Sequence, residues 1–293
     1  MGEGEGSTKQ AEATEPRFCV LQVLPSLVSG GVERATVDMA EAIAAAGGRA
    51  LVASEGGPME HQVTRVGGEH LRLPLASKNP FVMRRNVGRL IEIIRTRGVD
   101  LVHARSRAPA WSARSAARRT GRPWITTFHG AYRIGNPVKR RYNAVMAKGD
   151  LVIAPSEFIA RHLLLNYRID PGRLRVVPRG VDLDIFDPAR VSVERVVALA
   201  EKFRLPDGVP VVMLPGRLTR RKGHGLLLDA VGRLSHLNFC CVLVGPDQGR
   251  ETYRRELEQV IARRGLASRA VVLEECRDMP AAYMLADVVV SAS

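Results

Sequence analysis

From residue 18 onwards, short apolar runs alternate with longer amphipathic stretches. The apolar runs predict strands at 18–24, 49–53, 71–73, 99–103, 124–127, 151–153 and 173–177, then at 209–214, 239–244, 270–273 and 288–290. The stretches between them predict helices at 32–46, 81–97, 108–119, 138–147 and 157–167, then at 193–203, 223–235, 250–264 and 280–285. Apolar strands separated by helices are typical of parallel sheets covered on both faces, so the pattern predicts an α/β protein.

Residues 178–188 interrupt this alternation with a segment rich in Pro, Gly and Asp, which indicates a linker between two domains. We therefore expect two doubly wound, Rossmann-like domains that face a cleft. The predicted boundaries are a disordered tail at 1–16, an N-terminal domain at 17–180 and a C-terminal domain at 181–293.

The composition narrows the class of protein. Hydrophobic residues make up 45% of the chain, yet no apolar run is long enough for a membrane span and the N-terminus lacks a signal-peptide pattern, so we expect a cytoplasmic protein. Four cysteines lack the spacing of metal ligands and are expected to be buried thiols: Cys19, Cys240, Cys241 and Cys276. The net charge of +14 requires an anionic partner, which could be nucleic acid, a membrane surface or a phosphorylated small molecule.

The most informative segment is 209–223, where an apolar strand stops at Pro215-Gly216 and two cations, Arg217 and Lys222, follow. Cations at a strand end beside a helix N-terminus form a place for a phosphate. The alternative is a solvated basic helix entrance, because Arg220 and Arg221 lie there too.

Other polar or glycine-rich segments also follow predicted strands. They are Gly30-Gly31, Arg105-Ser106, His129-Gly130, Gly216-Arg217 and Gly245. In open parallel sheets, ligands bind beyond the carboxyl ends of the strands, so we expect these segments to form one site.

Several of these segments have a second interpretation when taken alone. Gly30-Gly31 favours close approach of a ligand or a plain turn equally, and His129 is either a ligand-facing or a structural histidine. The Asp182-x-Asp184 pair indicates a turn more than a metal site, so no metal is expected.

Taken together, these motifs resemble the family-4 retaining glycosyltransferases, which have the GT-B fold, in order over residues 18–293. The matching segments are Ser29-Gly30-Gly31, Pro155-Ser156-Glu157, Gly180-Val181-Asp182, Gly216-Arg217 with Lys222-Gly223, Asp278-Met279-Pro280 and Ala286-Asp287-Val288. The resemblance implies a nucleotide-diphosphate sugar as donor substrate, with no cofactor.

The resemblance also implies roles for single residues. Arg217 and Lys222 would hold the donor diphosphate, and His129 would lie near the transferred sugar as a catalytic residue. The other donor-binding residues would be Gly30, Gly31 and Gly216, with Gly245, Arg277 and Met279 lining the nucleotide base. Arg105 and Ser106 are assigned to the acceptor. The family's pair of glutamates beyond the last strand is absent before Ser293, which leads us to expect a truncated chain of weak or no activity.

The predicted function is hexose transfer to a glycan or lipid-linked acceptor, in bacterial envelope glycan or lipopolysaccharide synthesis. Peripheral contact with the anionic inner membrane would suit the basic charge. Two alternatives stay open: a sugar-nucleotide 2-epimerase of the same fold, and a basic module that binds nucleic acid. No specific nucleic-acid partner is expected, because aromatic residues are only 5% of the chain and do not alternate with the basic clusters. The sugar, base, acceptor and oligomeric state are not fixed by the sequence.

Overall fold

Parallel strands form two separate sheets in the computed structural model, which describes residues 17–132, 135–274 and 276–293. The chain divides into two compact units, the first ending at Arg179 and the second beginning at Gly180. The predicted tail at 1–16 lies outside the described residues. Within the described ranges, every helix falls short of the length and apolarity that a membrane span requires.

The sheet of the first unit has the strand order β3-β2-β1-β4-β5-β6-β7. Its strands are β1 Cys19–Val23, β2 Arg49–Ser54, β3 Glu69–Arg72, β4 Leu101–Ala104, β5 Trp124–Thr127, β6 Leu151–Ala154 and β7 Leu174–Val176. Its helices are α1 Gly31–Ala45, α2 Glu60–Arg65, α3 Pro80–Thr96, α4 Arg107–Thr120, α5 Pro137–Asn143 and α6 Glu157–Tyr167. The strand order reverses between β1 and β4, which is the point where doubly wound sheets bind ligands.

The centre of this sheet explains why its sequence is so apolar. Every residue of β1 is buried, because β1 pairs with β2 on one side and β4 on the other while helices cover both faces. The one polar residue of β1, Gln22, donates from Nε2 to the Thr36 carbonyl of α1 at 3.1 Å. This bond ties the first helix to the middle of the sheet.

The second unit repeats the arrangement on a smaller scale, with the strand order β10-β9-β8-β11. Its strands are β8 Val211–Pro215, β9 Cys240–Val244, β10 Ala270–Leu273 and β11 Val288–Val289. Its helices are α7 Val193–Phe203, α8 His224–Arg233, α9 Glu251–Arg263 and α10 Met279–Leu285. All of β9 is buried, and its adjacent residues Cys240 and Cys241 belong to apolar clusters on opposite faces of the sheet.

Two helices of the first unit begin at residues whose side chains cap the first turn. The predicted N-cap Ser156 is confirmed, because its hydroxyl accepts a hydrogen bond from the Ile159 N–H at 3.3 Å. Asn79 caps α3 in the same way, with Pro80 at the first helical position.

Three element predictions differ from the structure. The predicted helix at 138–147 is α5 followed by a 3₁₀ turn at Ala144–Ala147, so its end is tighter than an α-helix. The helix predicted to open at Gly223 begins at His224, because Gly223 takes a left-handed conformation with φ 78°. The six-residue helix α2 was not predicted, since it is too short for a periodic apolar pattern.

Candidate functional site

At the carboxyl end of β8, Lys222 lies across Gly216. Gly216 has φ 149°, and its N–H donates to the Val244 carbonyl at 2.8 Å. A Cβ on Gly216 would lie 3.3 Å from the Lys222 Cε and 3.4 Å from its Cδ. The structure therefore brings Gly216 and Lys222 together, and any larger residue at 216 would push the lysine away.

Gly245, at the carboxyl end of β9, touches the same loop backbone to backbone. It has φ 155°, and a Cβ there would lie 2.6 Å from the Gly216 carbonyl carbon and 3.2 Å from the Arg217 nitrogen. Leu218 reinforces the contact by donating its N–H to the Pro246 carbonyl at 3.0 Å. Only glycine fits such a close approach, so the two strand ends form one platform.

The basic residues of this segment divide into two kinds. Arg220 has a structural role, because its Nη2 lies 2.7 Å from Glu256 Oε2 and its guanidinium lies 5.4 Å from the centre of the Tyr253 ring. Arg217 is exposed and has a long contact of 3.4 Å to Gln248 Oε1. In the part of the chain that the structure describes, no carboxylate pairs with Arg217 or Lys222.

The turn that carries Lys222 ends in a close contact with the last residues of the chain. Arg220–Lys222 form a 3₁₀ turn that ends at Gly223, where a Cβ would lie 2.7 Å from the Cβ of Ala292. The next residue, His224, is fully buried, and burial together with the Lys222 charge lowers its pKa. A neutral His224 therefore adds no charge next to Lys222.

The segment after β10 lies at the same edge, since β8, β9 and β10 are parallel neighbours. Arg277 is exposed and Met279 starts α10. Between them, Asp278 caps α10 through the Ala281 N–H and accepts two bonds from Arg195, at 2.7 and 3.0 Å. The bond from Arg195 is the main cause that lowers the Asp278 pKa. The segment predicted to line a base is thus fixed in place, but its contact with a nucleotide stays a prediction.

In the first unit, the glycines after β1 open α1. Gly30 has φ 150° and its carbonyl accepts from the Arg34 N–H at 2.9 Å. A Cβ on Gly31 would overlap the Arg179 guanidinium, whose Cζ lies 3.3 Å from that position. The glycine loop is therefore the surface on which Arg179 rests.

Arg105 is predicted to touch the acceptor, but most of its hydrogen bonds go to residues of α1. Its side chain follows β4, and the residue is only 3% exposed. Nε donates to Thr36 Oγ1 at 3.1 Å and Nη2 donates to the Ala35 carbonyl at 2.7 Å. Among the described residues, the buried Nη1 has no hydrogen-bond partner. Burial, and next the Arg179 charge, lower the pKa of Arg105 to about 10.

Its neighbour Ser106 has a local role in the structure. Ser106 is the N-cap residue of α4, and its carbonyl accepts from the Ala110 N–H at 3.0 Å. The assignment of Arg105 and Ser106 to the acceptor stays a prediction, and Nη1 of Arg105 is the buried group of that side chain without a hydrogen-bond partner among the described residues.

His129 is held in one tautomer by Arg179. The Arg179 Nη2 lies 2.9 Å from His129 Nδ1. Because a guanidinium only donates, Nδ1 accepts and the ring proton is on Nε2. Burial, with the charges of Arg105 and Arg179, lowers the pKa of His129 to about 3. His129 is therefore a neutral N–H donor at physiological pH, and its buried Nε2 has no partner within the described residues.

The sequence predicts Arg179 only as part of the linker at 178–188 and indicates no role for its side chain. Arg179 contacts a residue fifty positions away, and nothing in its local pattern signals that contact. The unusual placement of an arginine between Pro178 and Gly180 was the available hint.

The Asp182-x-Asp184 pair forms a turn. Asp182 Oδ1 accepts from the N–H groups of Asp184 and Ile185 at 2.9 and 3.1 Å, and Asp184 pairs with Arg190 at 2.8 Å. Across the described ranges, no group of three or more His, Cys, Asp or Glu side chains has the arrangement of a metal site.

A comparison with family models assigns the chain to a family. The model of Glycosyltransferase Family 4 matches residues 29–185, which is more than half of the chain. The chain belongs to Glycosyltransferase Family 4. A second model, Glycosyl transferases group 1, matches residues 209–293 and so covers the platform built by Gly216 and Gly245.

The family assignment is supported by relatives of known name. The chain is 32% identical over 205 residues to a D-inositol 3-phosphate glycosyltransferase of Xylanimonas cellulosilytica, which covers 65% of this chain and 49% of the relative. The protein of the same name from Geodermatophilus obscurus is 36% identical over 132 residues, or 42% of this chain and 28% of the relative. The chain thus spans about half the length of the first relative and less of the second.

Solved structures confirm the predicted GT-B fold with two Rossmann-like domains. A glycosyltransferase from Rickettsia africae has a TM-score of 0.84 at 38% identity, covering 94% of this chain and 73% of that one. The Anabaena protein Alr3699/HepE, solved in complex with UDP-glucose, has a TM-score of 0.79 at 21% identity, covering 94% and 74%. This family-4 chain therefore has the architecture that its strand and helix pattern predicts.

Proposed function

We propose that this protein transfers a hexose from a nucleotide-diphosphate sugar to an acceptor, with retention of configuration at the sugar. The observation that carries the proposal is the lysine held across Gly216 beside Arg217, which has no carboxylate partner among the described residues, at the carboxyl ends of β8 and β9. The UDP-glucose complex of Alr3699/HepE agrees with a sugar-nucleotide donor, and the names of the D-inositol 3-phosphate glycosyltransferases agree with glycosyl transfer.

The proposed chemistry follows from the charges. Glycosyl transfer leaves negative charge on the departing nucleotide diphosphate, while the sugar passes through an oxocarbenium-like state. Cations aimed at the diphosphate stabilise that charge more in the transition state than in the ground state. Arg217 and Lys222 would each supply a charge-assisted hydrogen bond of ~1.5–3 kcal/mol, which corresponds to about 10–150-fold in rate.

The remaining donor and acceptor roles extend this proposal. Gly30 and Gly31 would approach a phosphate through their backbone, and Gly245, Arg277 and Met279 would line the base. His129 would donate from Nε2 to an oxygen of the substrate, which is consistent with its neutral tautomer. We place the reaction in bacterial envelope glycan synthesis at the cytoplasmic face, because a net charge of +14 suits a phosphorylated or membrane-borne acceptor.

The test is a calorimetric titration of the intact protein with UDP, GDP and ADP and their hexose conjugates. We expect Arg217→Ala and Lys222→Ala each to lower the affinity for the preferred nucleotide by about 10–150-fold. The matched control is Arg263→Ala, which removes an equal charge from the exposed end of α9 in the same unit. Equal affinities for all four proteins would contradict the proposal.

Two further measurements separate the alternatives. A 2-epimerase would convert a UDP-N-acetylhexosamine to its epimer without an acceptor, which an NMR assay of the sugar would show. A nucleic-acid module would lose affinity for DNA steeply with salt, spread over many Lys and Arg residues rather than concentrated at Arg217 and Lys222.

A further inference from the structure

Three nitrogen-rich side chains converge in the first unit: Arg105, His129 and Arg179. We call them the oxyanion cluster. Arg179 donates to His129 at 2.9 Å, and the charges of Arg105 and Arg179 both act on His129 and lower its pKa. The cluster therefore consists of groups that all donate hydrogen bonds.

The guanidinium of Arg105 is buried, whereas Arg179 is exposed, and among the described residues neither pairs with a carboxylate. The nearest acid that acts on Arg105 is Asp38, whose Oδ1 is already paired with Arg34 at 2.7 Å on the surface of α1. A buried guanidinium without an anion costs several kcal/mol, so a protein keeps one where a ligand offsets that cost. The cost indicates binding rather than stability as the reason for Arg105.

Two buried donors of the cluster lack an acceptor within the described residues. They are Nη1 of Arg105 and Nε2 of His129. An unsatisfied buried N–H is rare in proteins and is usually explained by a ligand or a water. Because the guanidinium of Arg179 fixes the tautomer of His129, the Nε2 group keeps its proton and cannot turn into an acceptor.

The position of the cluster in the fold points to a ligand. Arg105 directly follows β4 and the glycine loop under Arg179 follows β1, which are the strands between which the order of the sheet reverses. His129 follows β5, the next strand along. The N-terminal end of the fifteen-residue helix α1 adds partial positive charge at the same edge.

We propose that Arg105, His129 and Arg179 form an oxyanion site in the first unit that binds a phosphoryl group of a substrate. Two guanidiniums and one imidazole N–H match the several oxygens of a tetrahedral phosphoryl group and its charge. A cation or a neutral sugar would leave the positive charge uncompensated.

The phosphoryl group could belong to the donor diphosphate or to a phosphorylated acceptor. The choice of these ligands rests on the proposed transferase function, whereas the site itself rests on the contacts within the first unit. The experiment uses probes that separate the two sources: UDP for the donor, and glucose 6-phosphate and inorganic phosphate for an acceptor without a nucleotide.

The variants are Arg179→Gln, Arg179→Lys and Arg105→Met, titrated as intact proteins by calorimetry. We expect Arg179→Gln and Arg105→Met to lower the affinity for one of the probes by about 10–150-fold. Arg179→Lys should recover part of this loss. The control Arg161→Ala removes the same charge from an exposed position of α6 and should change affinity by less than about twofold.

The pattern of loss identifies the source. A loss confined to UDP assigns the site to the donor, and a loss for the phosphates without a nucleotide assigns it to the acceptor. Unchanged affinity for all probes in both Arg179→Gln and Arg105→Met would overturn the site. If Arg217→Ala leaves UDP binding intact while the oxyanion variants lose a phosphate probe, the proposed donor site fails and the oxyanion site stands.

A spectroscopic signature tests the positioning role of Arg179. The ¹⁵N shifts of His129 should report a neutral ring protonated at Nε2, and Arg179→Gln should keep the histidine but allow both tautomers. A ring that stays purely Nε2-protonated in Arg179→Gln, or one that is already mixed in the native protein, would contradict the role of Arg179.

Discussion

The two units both present cations at the carboxyl edge of a parallel sheet, but they hold them in opposite ways. In the first unit Arg105 is buried and bonded to α1, and Arg179 rests on Gly31 and His129. In the second unit Arg217 is exposed on a loop, and the side chain of Lys222 packs against Gly216. The buried Arg105 is held by its own hydrogen bonds before any ligand arrives, while the exposed Arg217 can adjust to one.

This difference shows where each unit places the free-energy cost of its charges. The first unit accepts the desolvation of a guanidinium during folding, so little reorganisation remains for binding. The second unit leaves its charges solvated and instead fixes the backbone, through the contact between Gly216 and Gly245. Substitutions should therefore act on side-chain charge in the first unit and on backbone shape in the second.

The largest effect is expected from Gly245→Ala. Its φ of 155° and the overlap of a Cβ with the Gly216 backbone would force β8 and β9 apart at their ends, at a cost of roughly 3 kcal/mol or more. The midpoint of urea unfolding followed by far-ultraviolet circular dichroism measures this cost.

The control for that substitution is Gly232→Ala in α8, where a Cβ would meet only Arg264 Nη1 at 4.0 Å. We expect this helical site to gain up to about 1 kcal/mol. Equal behaviour of the two variants would show that the platform is not sterically tight.

Acidification should weaken the first unit. His129 has a pKa of about 3 in the folded state, and burial also holds the pKa of His103 well below its usual value. Between about pH 6.5 and 3 the unfolded chain binds protons that the folded chain does not, so stability falls as the pH falls. The slope approaches ~1.4 kcal/mol per pH unit for each such histidine.

Fluorescence of Trp111 and Trp124, the two tryptophans of the chain, reports unfolding of the first unit alone. Urea titrations at pH 7.5, 6.5 and 5.5 should show the decline, and His129→Asn should make it shallower. A stability that is flat over this range would mean that these rings are accessible to protons in the folded unit.

The smallest effect is expected from Arg220→Ala. This side chain is exposed and its pair with Glu256 is at the surface, so its loss should cost less than about 1 kcal/mol of stability. Nucleotide affinity should stay within about twofold of the native value, in contrast to Lys222→Ala two residues away. A large loss of nucleotide affinity in Arg220→Ala would mean that the basic turn acts as a whole, and Arg221→Ala would test that directly.

Much of the fold could be predicted, because apolar runs such as 240–244 are long enough to identify buried strands and the helices between them are periodic. The strand-end positions of Gly216, Gly245 and Arg105 followed from the same pattern. The burial of Arg105 did not, since exposure depends on which helix packs over the strand end. The contact of Arg179 with His129 could not be predicted either, because the fold brings together two residues that are distant in the sequence.

The adjacent cysteines of β9 have a practical consequence. Cys240 and Cys241 point to opposite faces of one strand, so they belong to separate apolar layers, and burial raises the pKa of both thiols, that of Cys241 to about 12. Neither will react quickly with an alkylating reagent while the layers stay closed. Pulse alkylation with mass spectrometry would thus measure how fast each thiol becomes accessible. The two rates would report separately on the opening of the two apolar layers of the second unit.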